Sequence, residues 1–126
     1  MAQRYVRIQT EEGQIYYGLL QLNRDVQVMD APPWLKGQPT DVELSPDQYQ
    51  LLAPCSPSKI VAVGKNYANH AAEMGTPVPK EPLLFLKPST TIIATESDIW
   101  YPPLSERVDY EGELALVIGE RCVRCS

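Results

Sequence analysis

The sequence predicts an α+β protein that is mostly β: a small N-terminal antiparallel β module with a proline-rich linker over residues 1–57, then the start of a second domain over 58–126. Three observations carry that reading. Short β-rich runs separated by turn residues fill the chain up to Met29. Between Asp30 and Pro57 the pattern turns irregular, with prolines at Pro32, Pro33, Pro39, Pro46, Pro54 and Pro57. From Lys59 onward, apolar strand-like runs flank one proline-free, helix-like stretch.

Residues 5–9 and 15–20 read as strands joined by a turn at Glu12-Gly13, and residues 26–29 as a third short strand. Ser45-Pro46-Asp47-Gln48 offers an N-cap, a proline at the first helical position and a capping-box glutamine, which predicts a short helix to Leu52. Residues 59–64 form a short apolar run ending at a glycine, the mark of a buried strand. Residues 66–74 contain no proline, and Gly75 can supply the left-handed residue that ends a helix. Residues 83–87 predict another buried strand with one charge at its end, and Ile92-Ile93 a further short one. Residues 108–118 give the strongest strand signal. Val108, Tyr110, Gly112, Leu114, Leu116 and Ile118 fall on one face, with Asp109, Glu111, Glu113, Ala115 and Val117 on the other.

Composition narrows the function classes. A net charge of -5 and a pI of about 4.8 repel phosphate backbones, which argues against nucleic-acid or anionic-membrane partners. The opening Met1-Ala2-Gln3-Arg4-Tyr5 has no apolar run behind its charge, so no signal peptide is expected, and no stretch approaches bilayer-spanning length. Three cysteines make no disulfide framework, so the expected location is cytoplasmic. Cys122-Val123-Arg124-Cys125 has the C-x-x-C spacing, but a four-ligand zinc set and a thioredoxin-like βαβ context are both missing around it.

Two constellations can carry chemistry. Glu111 and Glu113 lie two apart on one predicted strand face, with Cα atoms about 6.5–7 Å apart. Beside Ala115 and Val117, which the pattern expects to be buried, two like charges repel unless a cation joins them, and hard oxygens suit Mg²⁺ or Mn²⁺. The plainer alternative is an acidic, solvent-facing strand end. His70, the one histidine, and Glu73 are spaced i, i+3 and meet on one helical face, where a carboxylate can fix the imidazole tautomer for acid–base work. The plainer alternative there is a surface pair on a polar helix. Lys87, ending an apolar strand, can hold an anionic substrate or simply reach water.

Taken together, residues 59–74 (KIVAVGKNYANHAAEM), 82–91 (PLLFLKPSTT) and 107–119 (RVDYEGELALVIG) resemble, in order, the catalytic domain of the fumarylacetoacetate hydrolase family. The resemblance covers Lys59 to Gly119, and the first half is similar to the small β module such enzymes often carry in front. It implies a β-roll of mixed sheets with a metal at its mouth, usually assembled as a homodimer. It places the metal-binding E-x-E pair on Glu111 and Glu113, the acid–base pair of a mobile lid helix on His70 and Glu73, and a substrate-proximal lysine on Lys87. A third metal carboxylate and a further lysine are implied beyond the E-x-E strand, past Ser126, so the roll is expected to be truncated here. The implied activity is divalent-metal-dependent hydrolysis of a C–C bond in a 2,4-dioxo acid such as an acylpyruvate or fumarylpyruvate. Lyase, hydratase or isomerase action on 2-oxo acids is the sibling alternative, and an inactive remnant the second.

Overall fold

The structure, a computed structural model, describes residues 2–125. The chain forms two units: Ser56–Ile92 is one, and the remainder of the chain is the other.

The larger unit is built on a five-stranded antiparallel sheet of β1 (Tyr5–Thr10), β2 (Ile15–Leu20), β3 (Val26–Met29), β4 (Pro39–Leu44) and β5 (Tyr49–Leu51), in the order β4-β3-β2-β1-β5. The first hairpin closes as the Glu12-Gly13 pair predicts. The Thr10 amide donates to the Gln14 carbonyl and the Gly13 amide to the Thr10 carbonyl, both at 2.9 Å, with Gly13 at φ 81. That is a three-residue hairpin loop whose last residue is left-handed. The β2–β3 hairpin repeats the pattern with Arg24 at φ 73 in the glycine's place; its amide donates to the Gln21 carbonyl at 3.2 Å. Ile8, Val26, Val28 and Met29 are buried and form the core of this sheet. Trp34 meets Tyr17 edge to face, with ring centroids 5.1 Å apart, and Gly119 lies against Trp34 so closely that an added Cβ would stand 3.2 Å from the Trp34 Cβ.

The helix expected to run to Leu52 is instead a turn followed by β5. Ser45 and Gln48 bond each other across that turn: the Gln48 amide donates to the Ser45 carbonyl, and the Ser45 amide to Gln48 Oε1, each at 3.0 Å. The capping-box residues thus close one turn and stop. Tyr49–Leu51 then pairs with β1, Ile8 opposite Leu51 and Thr10 opposite Tyr49, and the Tyr49 hydroxyl donates to the Arg24 carbonyl at 2.6 Å. A ladder plus a long-range side-chain bond outweighs a local helix preference worth only a few tenths of a kcal/mol per residue.

The smaller unit holds β6 (Ile60–Gly64), α1 (Ala68–Glu73), β7 (Leu83–Lys87) and a 3-10 turn at Ser89–Thr91. β6 and β7 pair antiparallel, from Ile60 opposite Lys87 to Gly64 opposite Leu83. Both strands form where expected, but they are not buried: Val61, Leu84 and Leu86 stand exposed. Two strands have no opposing layer of their own to cover their faces. The expected strand at Ile92-Ile93 is absent, because the Ile92 amide closes the 3-10 turn on the Ser89 carbonyl at 3.4 Å.

Residues 108–118 form no strand ladder and are exposed throughout, Ala115 and Val117 included. Alternation defines two faces, but a strand also needs a ladder to a neighbouring strand, and 108–118 is not part of one. Among the described residues, no helix is long and apolar enough to cross a membrane.

Candidate active site

α1 begins at Tyr67, whose backbone is extended and whose side chain makes no cap, and it ends in a well-formed C-terminal motif. The Gly75 amide donates to the Ala72 carbonyl and the Thr76 amide to the Ala71 carbonyl, both at 3.0 Å, with Gly75 at φ 65. This is the paired arrangement that satisfies the orphan carbonyls of a helix end, and it needs a left-handed residue where Gly75 stands. Ala71 is fully buried and anchors the helix's inner face. In the sequence, Ala71 and Thr76 carry no signal beyond being small residues close to a candidate catalytic pair.

The helix brings His70 and Glu73 together as their spacing predicts. His70 Nδ1 lies 3.9 Å from Glu73 Oε2, with the imidazole 37% exposed and the carboxylate 80% exposed. That separation is too long for a hydrogen bond but within ion-pair range. A carboxylate facing Nδ1 favours the tautomer that carries its proton there, which makes Nε2 the basic ring nitrogen.

Lys87 is placed elsewhere on the same unit. It ends β7 opposite Ile60, whereas the Gly64–Leu83 end of the hairpin leads to α1, so about 13 Å of strand separates Lys87 from that end. Its ammonium stands 5.8 Å from the Phe85 ring centroid, a cation–π contact on an exposed surface.

Glu111 and Glu113 belong to the larger unit and are exposed. Just before them, the Arg107 guanidinium donates to Asp109 at 2.8 Å, both side chains being largely solvated. Two carboxylates have the right chemistry for a hard divalent cation, but they are too few to hold one well. Among the described residues, no group of three or more His, Cys, Asp or Glu side chains is placed to hold a metal ion. These residues by themselves therefore do not make a metal centre.

A cleft of about 410 Å³ opens on the β sheet between Thr10, Tyr16, Val28, Leu44 and Asp47, and no sequence-predicted site residue lines it. The Ser45 hydroxyl, donating to Asp47 at 2.6 Å, and Asp47's own backbone hold that carboxyl below its usual range.

Comparison with known proteins supplies the kinship. Residues 59–126 match the family model described as Fumarylacetoacetate (FAA) hydrolase C-terminal, and residues 3–54 the one described as Rv2993c-like, N-terminal. An uncharacterized protein of Archaeoglobus fulgidus is 44% identical over 110 residues, which are 87% of this chain and 40% of the relative. Oxaloacetate tautomerase FAHD2A, mitochondrial, of Bos taurus is 51% identical over 71 residues, 56% of this chain and 23% of that protein. Among solved structures, Cg1458 with inhibitor has a TM-score of 0.71 at 31% identity, covering 83% of this chain and 42% of its own. The 5-carboxymethyl-2-hydroxymuconate delta-isomerase from Mycobacterium smegmatis has a TM-score of 0.58 at 32% identity, covering 71% of this chain and 34% of its own. The chain thus spans less than half the length of each of these relatives. On the match from residue 59 onward, the chain belongs to the fumarylacetoacetate hydrolase family.

Proposed function

We propose that the protein carrying these residues is a divalent-metal-dependent enzyme of 2-oxo acids in which His70, oriented by Glu73, moves the proton. The observation that carries this reading is the His70–Glu73 pair on a helix whose end is fixed by Gly75. Gly64 before α1 and Gly75 after it give the segment hinge points for closing over substrate and excluding water.

For a 2,4-dioxo acid the steps follow from ordinary acid–base chemistry. His70 Nε2 takes a proton from water, and the hydroxide adds to the carbonyl carbon distal to the carboxylate. The C–C bond breaks, its electron pair leaves as pyruvate enolate, and that carbanion is then protonated. Glu73 stabilises the imidazolium while the charge is present. Glu111 and Glu113 would hold part of the shell of a Mg²⁺ or Mn²⁺ ion, which when bound would supply stabilisation of the negative charge developing on the 2-oxo acid. Lys87 is assigned to the anionic substrate by resemblance alone, and the working assembly is a homodimer.

A second reading is supported by two of these relatives, one named a tautomerase and the other an isomerase. The same His70 would then shuttle a proton between carbon and oxygen of a 2-oxo acid, with no C–C cleavage. Incubating the full-length protein with acylpyruvates, oxaloacetate and 2-oxo-pent-4-enoate separates the two. Cleavage of the first supports hydrolysis, whereas enol–keto exchange of oxaloacetate alone supports tautomerisation. In either case His70→Ala should lower kcat by roughly 10²–10⁴-fold while metal affinity survives. Near-normal turnover by that variant removes His70 from the mechanism.

A further inference from the structure

The sulfur pair near the end of the chain is not used by the proposed reaction. Cys122 and Cys125 are free and exposed, and the chain bends at the two residues between them. Arg124, in the bend between the two cysteines, is held at φ 52. A disulfide needs its two Cα atoms within about 7 Å, and a bend shortens a four-residue segment from the roughly 10 Å of extended chain toward that range. The two sulfurs are not equivalent. The Cys122 thiol donates to the Glu120 carbonyl at 3.3 Å, whereas no such bond holds Cys125 among the described residues. Arg121 and Arg124 flank the pair, against the one carboxylate of Glu120, and so favour an anionic reagent.

We propose that Cys122 and Cys125 form a reversible modification site that closes to an intramolecular disulfide by exchange with an anionic low-molecular-weight disulfide of the glutathione type. The Cys125 thiolate attacks one sulfur of the reagent, forming a mixed disulfide and expelling one thiol. Cys122 then attacks the Cys125 sulfur, closing the protein disulfide and expelling the second thiol. Two protein thiols and one reagent disulfide become one protein disulfide and two reagent thiols, so no other oxidant is consumed. The missing thioredoxin-like context argues against a dedicated oxidoreductase but not against this exchange, which needs only two exposed thiols close together in the chain. Nothing in it depends on the 2-oxo acid reading.

The test is to equilibrate the full-length protein in glutathione buffers of stepped oxidised-to-reduced ratio and map its cysteines by mass spectrometry. Cys55, half-buried and distant in sequence from the pair, is the internal control. The peptide spanning 122–125 should lose its two thiol hydrogens at ratios where Cys55 stays reduced, and dithiothreitol should restore them. Cys122→Ser should trap a persistent glutathione adduct on Cys125, because the closing thiol is gone. Stable glutathione adducts on both cysteines of the unaltered protein, or a 122–125 response no different from that of Cys55, would overturn the proposal.

Discussion

Gly18 sits in β2 opposite Val28, and the sheet's core depends on its lack of a side chain. A Cβ there would stand 2.2 Å from Val26 Cγ1 and 2.8 Å from the Gln27 carbonyl oxygen. Val26 is fully buried, so it has nowhere to retreat, and the carbonyl belongs to the neighbouring strand's backbone. Gly18→Ala should therefore destabilise the module by about 1–3 kcal/mol, the range for overpacking, as read from the urea midpoint of the sheet's unfolding. An unchanged midpoint would mean that β2 and β3 separate at little cost. Glu111 and Glu113 pose the opposite case, two exposed carboxylates whose proposed role is to a metal ion rather than to the sheet. In the full-length protein, Glu111→Gln or Glu113→Gln should weaken Mg²⁺ or Mn²⁺ binding and abolish turnover, because each replaces an anionic oxygen by a neutral one. Calorimetric titration with the metal alone decides it, and unchanged affinity in both variants leaves them an acidic surface.

At the level of elements, the turn at residues 45–48 shows how the same side chains serve two structures. Ser45 and Gln48 would cap a helix, yet they close a turn into β5, and Asp47 gains the Ser45 hydroxyl as a donor. The Asp47 carboxyl is held below 3.8 in the folded state first by that hydroxyl, so the folded form binds this proton less readily than the unfolded form. Its stabilisation is present above pH 3.8 and is lost as pH falls through the lowered folded value. Acid unfolding of the sheet followed by circular dichroism should show a shallower pH dependence in Ser45→Ala, and an identical curve would remove the bond from the account. Legibility in the sequence follows the same division between local and distant causes. The turn at Gly13 and the helix end at Gly75 were readable because a left-handed glycine is a local requirement. β5 was not, because what makes Tyr49–Leu51 a strand is β1, some forty residues earlier. Residues 108–118 reverse that situation: their alternation is plain, but alternation names two faces and cannot name a partner. The candidate site divides likewise: helix pitch sets the His70–Glu73 meeting, whereas the spacing of Glu111 and Glu113 names no further ligand for them.

For the molecule as a whole, the contrast in burial between the sheet and the rest sets the last expectation. Apart from Ala71, the hydrophobic residues buried among those described are all in the five-stranded sheet: Ile8, Val26, Val28 and Met29. From Lys59 onward, large apolar side chains stand in water, among them Leu84 at 62%, Leu86 at 71%, Leu114 at 78% and Leu116 at 81% exposure. Exposed apolar side chains in such number drive association, and β6 and β7 each present an open edge to which another strand can add. The same region holds the candidate catalytic pair, while the two carboxylates proposed for the metal lack further ligands among the described residues. Residues 1–126 expressed alone should therefore show no turnover of acylpyruvate or oxaloacetate with Mg²⁺ or Mn²⁺, and should self-associate as concentration rises. Hydrogen exchange should be slow in β1 to β3, where the ladders are flanked on both sides, and fast from Lys59 onward. Metal-dependent turnover by a monodisperse preparation of these residues would defeat the expectation, since it would require a complete metal site within them.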